Sequence, residues 1–155
     1  MSAAPEVLTV PEQVAAARAG RHPRLLGRAR SGWCVLHDVQ ALAGHALLLP
    51  DPVVPSLNDL AGAARTAFLE DMTALGDALL AVTGAERINY EILGNVEPVL
   101  HAHVVPRFAS EPPERRRAPV WFYDLAAAPR FDAAVHGELQ KKLAAELRSL
   151  GVTTG

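Results

Sequence analysis

The sequence predicts an α+β fold built on an antiparallel sheet. Three observations carry this. Short runs rich in apolar and β-branched residues recur at 33–36, 46–49, 87–93 and 99–105. Apolar stripes at steps of three or four cross 60–82 and again 135–150. The connections between neighbouring β-runs read as turns, which suits antiparallel pairs.

Taken in order, Pro11-Glu12-Gln13 opens a short helix ended by Gly20, with proline in a tolerated first-turn position. "RAGRHPRLLGRAR" then gathers Arg18, Arg21, Arg24, Arg28 and Arg30. It reads as a solvated basic loop, the alternative being a contact to phosphate or a partner. Runs 33–36 and 46–49 are strands paired through "DVQALAG", and "PDPVVPS" is too rich in proline for a central strand. Ser56 and Asp59 resemble a capping box, with Asp weaker than Glu. The stripe Leu60, Ala64, Phe68, Met72, Leu75, Leu79 and Val82 then makes a long central helix stopped by Gly84. "RINYEIL" sets Ile88, Tyr90 and Ile92 against Asn89 and Glu91, the alternation of a half-buried strand. "GNVEP" turns the chain, and "VLHAHVV" returns as the next strand. "SEPPERRRAPV" is a loop and "VWFYDL" a short extended or packing segment. Asp132 caps a C-terminal helix with the stripe Val135, Leu139, Leu143, Leu147 and Leu150, closed by Gly151. With no repeat or linker, residues 1–155 read as a single domain.

Composition narrows the function. Half the 155 residues are hydrophobic and the formal net charge is −2, so nothing favours wrapping nucleic acid. The apolar runs fall short of the roughly 20 residues of a membrane span. "MSAAPEVLTVPEQ" lacks the basic and apolar regions of a secretory leader, so a soluble cytoplasmic protein is expected. The single cysteine, Cys34, has no internal disulfide partner and reads as a buried small hydrophobe.

The chemistry concentrates in "NVEPVLHAHVVPRF", residues 95–108. Strand alternation puts His101 and His103 side by side with Val99, Val105 and Arg107 on the less apolar face, and Leu100, Ala102 and Val104 toward the core. Three roles stay open on periodicity alone. The imidazoles can divide nucleophilic attack and charge stabilisation. They can bind zinc, although neither Cys34 nor the other histidines have a spacing that completes a ligand set. Or they can be two surface histidines without a task.

Context adds to this. "NYEILGNVEPVLHAHVVPRF" closely resembles the histidine triad (HIT) family of nucleotide hydrolases and transferases, whose signature is His-φ-His-φ-His-φ-φ with φ apolar. Val99 stands where the first histidine is usual, and His101 and His103 are the second and third. Upstream, "VLHDVQALAGHALLLP" resembles the family's strand–turn–strand, with Ala43 where proline is common. The resemblance covers residues 33–108, with a C-terminal arm and helix over 109–151. It implies a HIT-like sheet of about five strands with a long central helix and a C-terminal helix.

By that resemblance, His101 attacks the α-phosphorus of a nucleotide and holds a nucleotidyl–imidazole intermediate, and His103 contacts the phosphate oxygens. Gly94 and Asn95 line the phosphate pocket. Val96 stands where many relatives carry Ser or Thr. Asn89 reaches the ribose or α-phosphate, and Asp38 takes the ribose hydroxyls. His45 matches a histidine near the first triad position, so Val99 leaves it without its usual partner. His37 reads as an exposed strand-end residue, and His22 and His136 have no evident role, the latter on the polar side of its helix. Tyr90, Trp33, Trp121 and Phe122 read as packing residues. The implied activity is a hydrolase or transferase cleaving phosphoanhydride or phosphoramidate bonds, in dinucleoside polyphosphates or nucleoside phosphoramidates. No metal or cofactor is obligatory, and a homodimer is expected. The alternative is a nucleotide-binding module that lost turnover with Val99. A zinc-bound protein is the weakest of the three readings.

Overall fold

A computed structural model describes residues 7–154. The leader-type segment considered above lies partly outside them, at residues 1–6. The chain runs through α1 (Val10–Arg18), β1 (Leu25–Ala29), β2 (Gly32–Leu36), β3 (Ala46–Pro50), α2 (Gly62–Thr83), β4 (Arg87–Glu91) and β5 (Ala102–Arg107). It continues through a one-turn α3 (Pro113–Arg116), α4 (Ala133–Ser149) and a two-residue β6 (Thr153–Thr154). The strands form one six-stranded antiparallel sheet in the order β4-β5-β3-β2-β1-β6. β1 and β6 are the strands that the sequence reading did not include.

Every residue of β3 is buried, as a central strand covered on both faces requires. Ala46 and Leu48, with Cys34, Leu36, Ala102 and Val104, pack against Phe68, Leu75 and Leu79 of α2 and Leu143 and Leu147 of α4. The opposite face carries Val35, Leu47 and Leu49 under Val10 and Val14 of α1. Further along that face Val105 is covered by Leu42 and Val120. The histidine face is therefore a second buried layer with a local polar opening, and not the less apolar face expected from alternation.

Local chemistry shifts several element ends. Thr9 caps α1 in a reciprocal box with Glu12, the Thr9 Oγ1 accepting from Glu12 N at 3.3 Å and Glu12 Oε2 accepting from Thr9 N at 2.7 Å. Ser56 and Asp59 bond to each other at 2.7 Å and head a single 3₁₀ turn. They do not cap the long helix, because Leu60 is extended and α2 begins at Gly62. Gly84, at φ 70°, stops α2 as expected. On α4, Asp132 Oδ1 accepts from Ala134 N at 2.9 Å, while Val135 and Leu150 are 71% and 49% exposed. Val135, eight positions before Leu143, is rotated about 80° around the axis from it, and Leu150 is the C-cap, past the last helical residue. His136 is buried instead, its Nδ1 accepting from Asp132 N at 3.0 Å.

β1 was hidden by its own composition. Its one arginine, Arg28, joins Arg18 of α1 on the Asp51 carboxylate, which also accepts from Trp33 Nε1 at 2.9 Å. Gly27 sits at an irregularity of the β1–β2 register, and a Cβ there would lie 2.8 Å from that of Thr153 in β6. Burial pushes the Cys34 thiol up to about 12, leaving a small apolar residue. Among the described residues no helix is long and apolar enough to cross a membrane.

The two-layer core predicts unequal costs for similar truncations. Phe68→Ala should cost about 3–5 kcal/mol in urea unfolding, and Val135→Ala less than about 0.5 kcal/mol. Equal losses would contradict the assignment of the α4 face.

Candidate functional site

The register of β3 against β5 pairs Leu47 with His103. His45 lies one residue before β3, at the closed end of the 37–45 connection, where His37 N donates to His45 O at 2.8 Å. Gln40 holds that connection from inside. Its Nε2 donates to the carbonyls of His37 and His45 at 2.7 and 3.0 Å, and its Oε1 accepts from Gly44 N at 2.9 Å. The outcome is a cluster of four imidazoles. His45 Nε2 and His103 Nδ1 are 2.9 Å apart. His37 stacks on His45 with ring centroids 4.3 Å apart, and His101 meets His103 edge-on at 5.2 Å.

His101 precedes β5 and is oriented by its own backbone. Its Nδ1 lies 2.7 Å from the carbonyl of Val99. A carbonyl only accepts, so Nδ1 carries the proton and Nε2 keeps its lone pair. Val99 itself turns into the layer formed by Val10, Val14 and Leu47. Its carbonyl serves His101, and its side chain serves the core.

A cavity of about 720 Å³ opens in front of the imidazoles. His37, His101, His103 and Trp121 form its floor and Arg24 and Asp38 one wall. The turn of Gly94, Asn95, Val96 and Glu97 forms another. Gly94 takes φ 70° to make that turn, and Glu97 Oε1 accepts from Val10 N at 2.5 Å, fastening the turn to α1. Trp121 donates Nε1 to Glu91 Oε2 at 2.5 Å, and its ring meets that of His103 at 4.8 Å, so it backs His103 within its own chain.

Burial is the first cause of the electrostatics. It lowers the pKa of His103 to about 3, with His37 and His101 adding to the effect. It holds His45 well below the usual imidazole value, with His37 and His103 as further causes, and it lowers His37 as well. These three are neutral imidazoles at neutral pH, able to exchange hydrogen bonds but not to carry charge. Their ligating nitrogens all lie within 4.8 Å of one another, a proximity that linear spacing did not disclose. The 13° angle between the stacked His37 and His45 planes leaves any ion shared by both well out of the plane of at least one ring. The geometry suits an imidazole–imidazole hydrogen bond better than a ligand set.

Several residues differ from their expected roles. Asn89 does not line the cavity; its Oδ1 accepts from Arg107 Nη1 at 2.7 Å. Arg107 is a buried hub, also bonded to the Glu111 carboxylate and to the carbonyls of Arg115 and Ala118. Asp38 lines the cavity with one carboxylate oxygen, Oδ2, already paired with Arg130. His45 does have a partner, His103 in place of the missing residue at 99. His37 is half-buried in the cluster and not an exposed strand end. The two histidines flanking "DVQALAG" are a signal that could have placed His37. No sequence spacing points to Arg130, which arrives through the pairing of Phe131 N with Asp38 O at 2.7 Å.

The buried neutral histidines predict a pH-dependent fold. A histidine with a depressed native pKa binds fewer protons folded than unfolded, between that value and about 6.5. Stability is then full above pH 7 and falls as pH drops through 6 toward 4, with His22, lowered to about 4 by burial, contributing alongside His45 and His103. Replacing His45 by Gln should flatten the slope of unfolding free energy near pH 5 by about 1.4 kcal/mol per pH unit. An unchanged slope contradicts a buried neutral His45.

No protein-family model matches the sequence and no curated protein matches it. Solved structures do. A histidine triad protein from Marinobacter aquaeolei VT8 superposes with a TM-score of 0.70 at 21% identity, covering 86% of this chain and 95% of that one. A hypothetical histidine triad nucleotide-binding protein from Sulfolobus tokodaii has a TM-score of 0.70 at 12% identity, covering 92% and 98%. A Zn-bound histidine triad family protein from Mycobacterium smegmatis has a TM-score of 0.63 at 19% identity, covering 91% and 99%. At these identities the likeness is one of fold, and the fold of this chain is that of the histidine triad proteins.

Proposed function

We propose that this protein binds nucleotides in the 720 Å³ cavity and cleaves a phosphoanhydride or phosphoramidate bond at the α-phosphate through a nucleotidyl–His101 intermediate. One observation carries the reading: the bond from His101 Nδ1 to the Val99 carbonyl, 2.7 Å, leaves a nucleophilic Nε2 on the ring that faces the cavity. As Nε2 bonds to phosphorus, positive charge develops on the ring and the carbonyl at Nδ1–H stabilises it. The leaving group departs with the P–O or P–N bonding pair, an amine taking a proton from solvent as it leaves. Water then attacks phosphorus and gives up a proton to solvent, the bonding pair to Nε2 returns to the ring, and nucleoside monophosphate and free His101 result.

His103 is assigned to the phosphate oxygens. With the shared proton on His45 Nε2, His103 Nδ1 accepts and its Nε2–H is available to a phosphoryl oxygen. His45 and the stacked His37 hold that tautomer. Gly94 and Asn95 line the phosphate end, while Val96 supplies no hydroxyl there. These roles rest on side chains and one backbone carbonyl, so the proposal includes no obligatory metal or cofactor. A second reading, binding without turnover, is favoured by the same Val96 and by the absence of a histidine at 99.

Product chromatography on adenosine 5′-phosphoramidate and a diadenosine polyphosphate, run with thermal-shift measurements, separates the two. His101→Gly should lower kcat by a factor on the order of 10⁴, and His103→Ala by about 10²–10³. Val99→His should change it by less than about ten-fold, because the carbonyl remains. Thermal stabilisation by nucleotides with no product from the wild type would leave only the binding module.

A further inference from the structure

We infer that the cavity has a second anion subsite, at Arg24 and Arg130, that selects nucleotides carrying a phosphate on the ribose 2′ or 3′ oxygen. This rests on the nucleotide reading above, with Asp38 at the ribose end. A carboxylate that serves an unmodified vicinal diol needs no cation beside it. Here Asp38 is already paired with Arg130, whose side chain is 42% exposed.

Arg24 is the second observation. It lines the cavity, and burial is the first cause of its lowered pKa, with the charge of Arg130 the next. Its Nε donates to Leu36 O at 3.0 Å, which fixes the plane of the guanidinium. Among the described residues neither of its Nη groups has a partner and no carboxylate pairs with it. A half-buried guanidinium with its Nη groups open at a cavity wall presents paired N–H donors to an anion. Arg24 and Asp38 line the cavity and Arg130 joins them through its pairing with Asp38, so the three side chains together carry +1, from two cations less one anion.

The geometry that results differs from a diol site in a defined way. One ribose hydroxyl meets the Asp38 oxygen, and a phosphate on the neighbouring hydroxyl meets Arg130 and the Nη groups of Arg24. Guanidinium groups match phosphate oxygens through paired N–H bonds. An acidic residue facing a free ribose hydroxyl, and an arginine facing a phosphorylated one, is the distinction that dinucleotide sites use.

Calorimetric titration of the full chain with 5′-AMP, adenosine 2′,5′-bisphosphate, adenosine 3′,5′-bisphosphate and ATP tests this. One bisphosphate should bind at least about ten-fold tighter than AMP. The gain should vanish in Arg130→Ala and shrink in Arg24→Gln, while AMP affinity changes less than about three-fold. Arg24→Lys, which keeps the charge, is the second variant at the more buried site and should retain part of the gain. If AMP binds and neither bisphosphate binds tighter, or the gain survives Arg130→Ala, the inference fails and the nucleotide reading stands. If ATP gains as much and loses it in the same variants, the arginines serve the 5′ leaving group and the inference fails. If no nucleotide binds, the nucleotide reading fails and takes the inference with it.

Discussion

The pairing of β3 with β5 is the constraint on which the site depends. Three residue pairs, Ala46 with Val104, Leu47 with His103 and Leu48 with Ala102, fix the register between the strands. A slip of one residue would send His103 into the layer of Phe68 and Leu75 and turn Ala102 toward the cavity. The same register brings His45 within a hydrogen bond of His103, although 58 residues separate them. Burial on both faces of β3 makes the register expensive to change, so the apolar layers hold the imidazoles at a fixed separation.

At Val99 the side chain and the backbone serve different neighbours. The valine packs with Val10, Val14 and Leu47, and its carbonyl orients His101. A histidine at that position would offer a third imidazole but would lose apolar contact in the layer beneath α1. His45 then turns to His103, and His37 stacks behind it. The cost of this column is desolvation of several imidazoles, which keeps them neutral and ties their state to pH. A neutral column is well suited to holding a tautomer.

Much of the fold was legible because it rests on local patterns. The α2 stripe, the Gly84 stop, the Asp132 cap and the antiparallel pair β2–β3 follow from periodicity and capping chemistry. β1 was not legible, since a short strand holding Gly27 and Arg28, with arginines on either side of it, looks like a loop. The Ser56–Asp59 pair looked like a helix cap and instead satisfies itself one turn early. His101, His103, Gly94, Asn95 and Asp38 do line one cavity. For Asn89 strand alternation gives the face but not the neighbour, which is Arg107. Arg130 depends on chain segments brought together only by the fold.

The proposed chemistry depends on the tautomer of His101, and nitrogen-15 NMR of histidine-labelled protein at pH 8 observes it directly. His101 is expected with its proton on Nδ1 and a bare Nε2, unchanged in Val99→Ala because the carbonyl is the same. A proton on Nε2, or a tautomer that changes when the side chain at 99 is truncated, would contradict it.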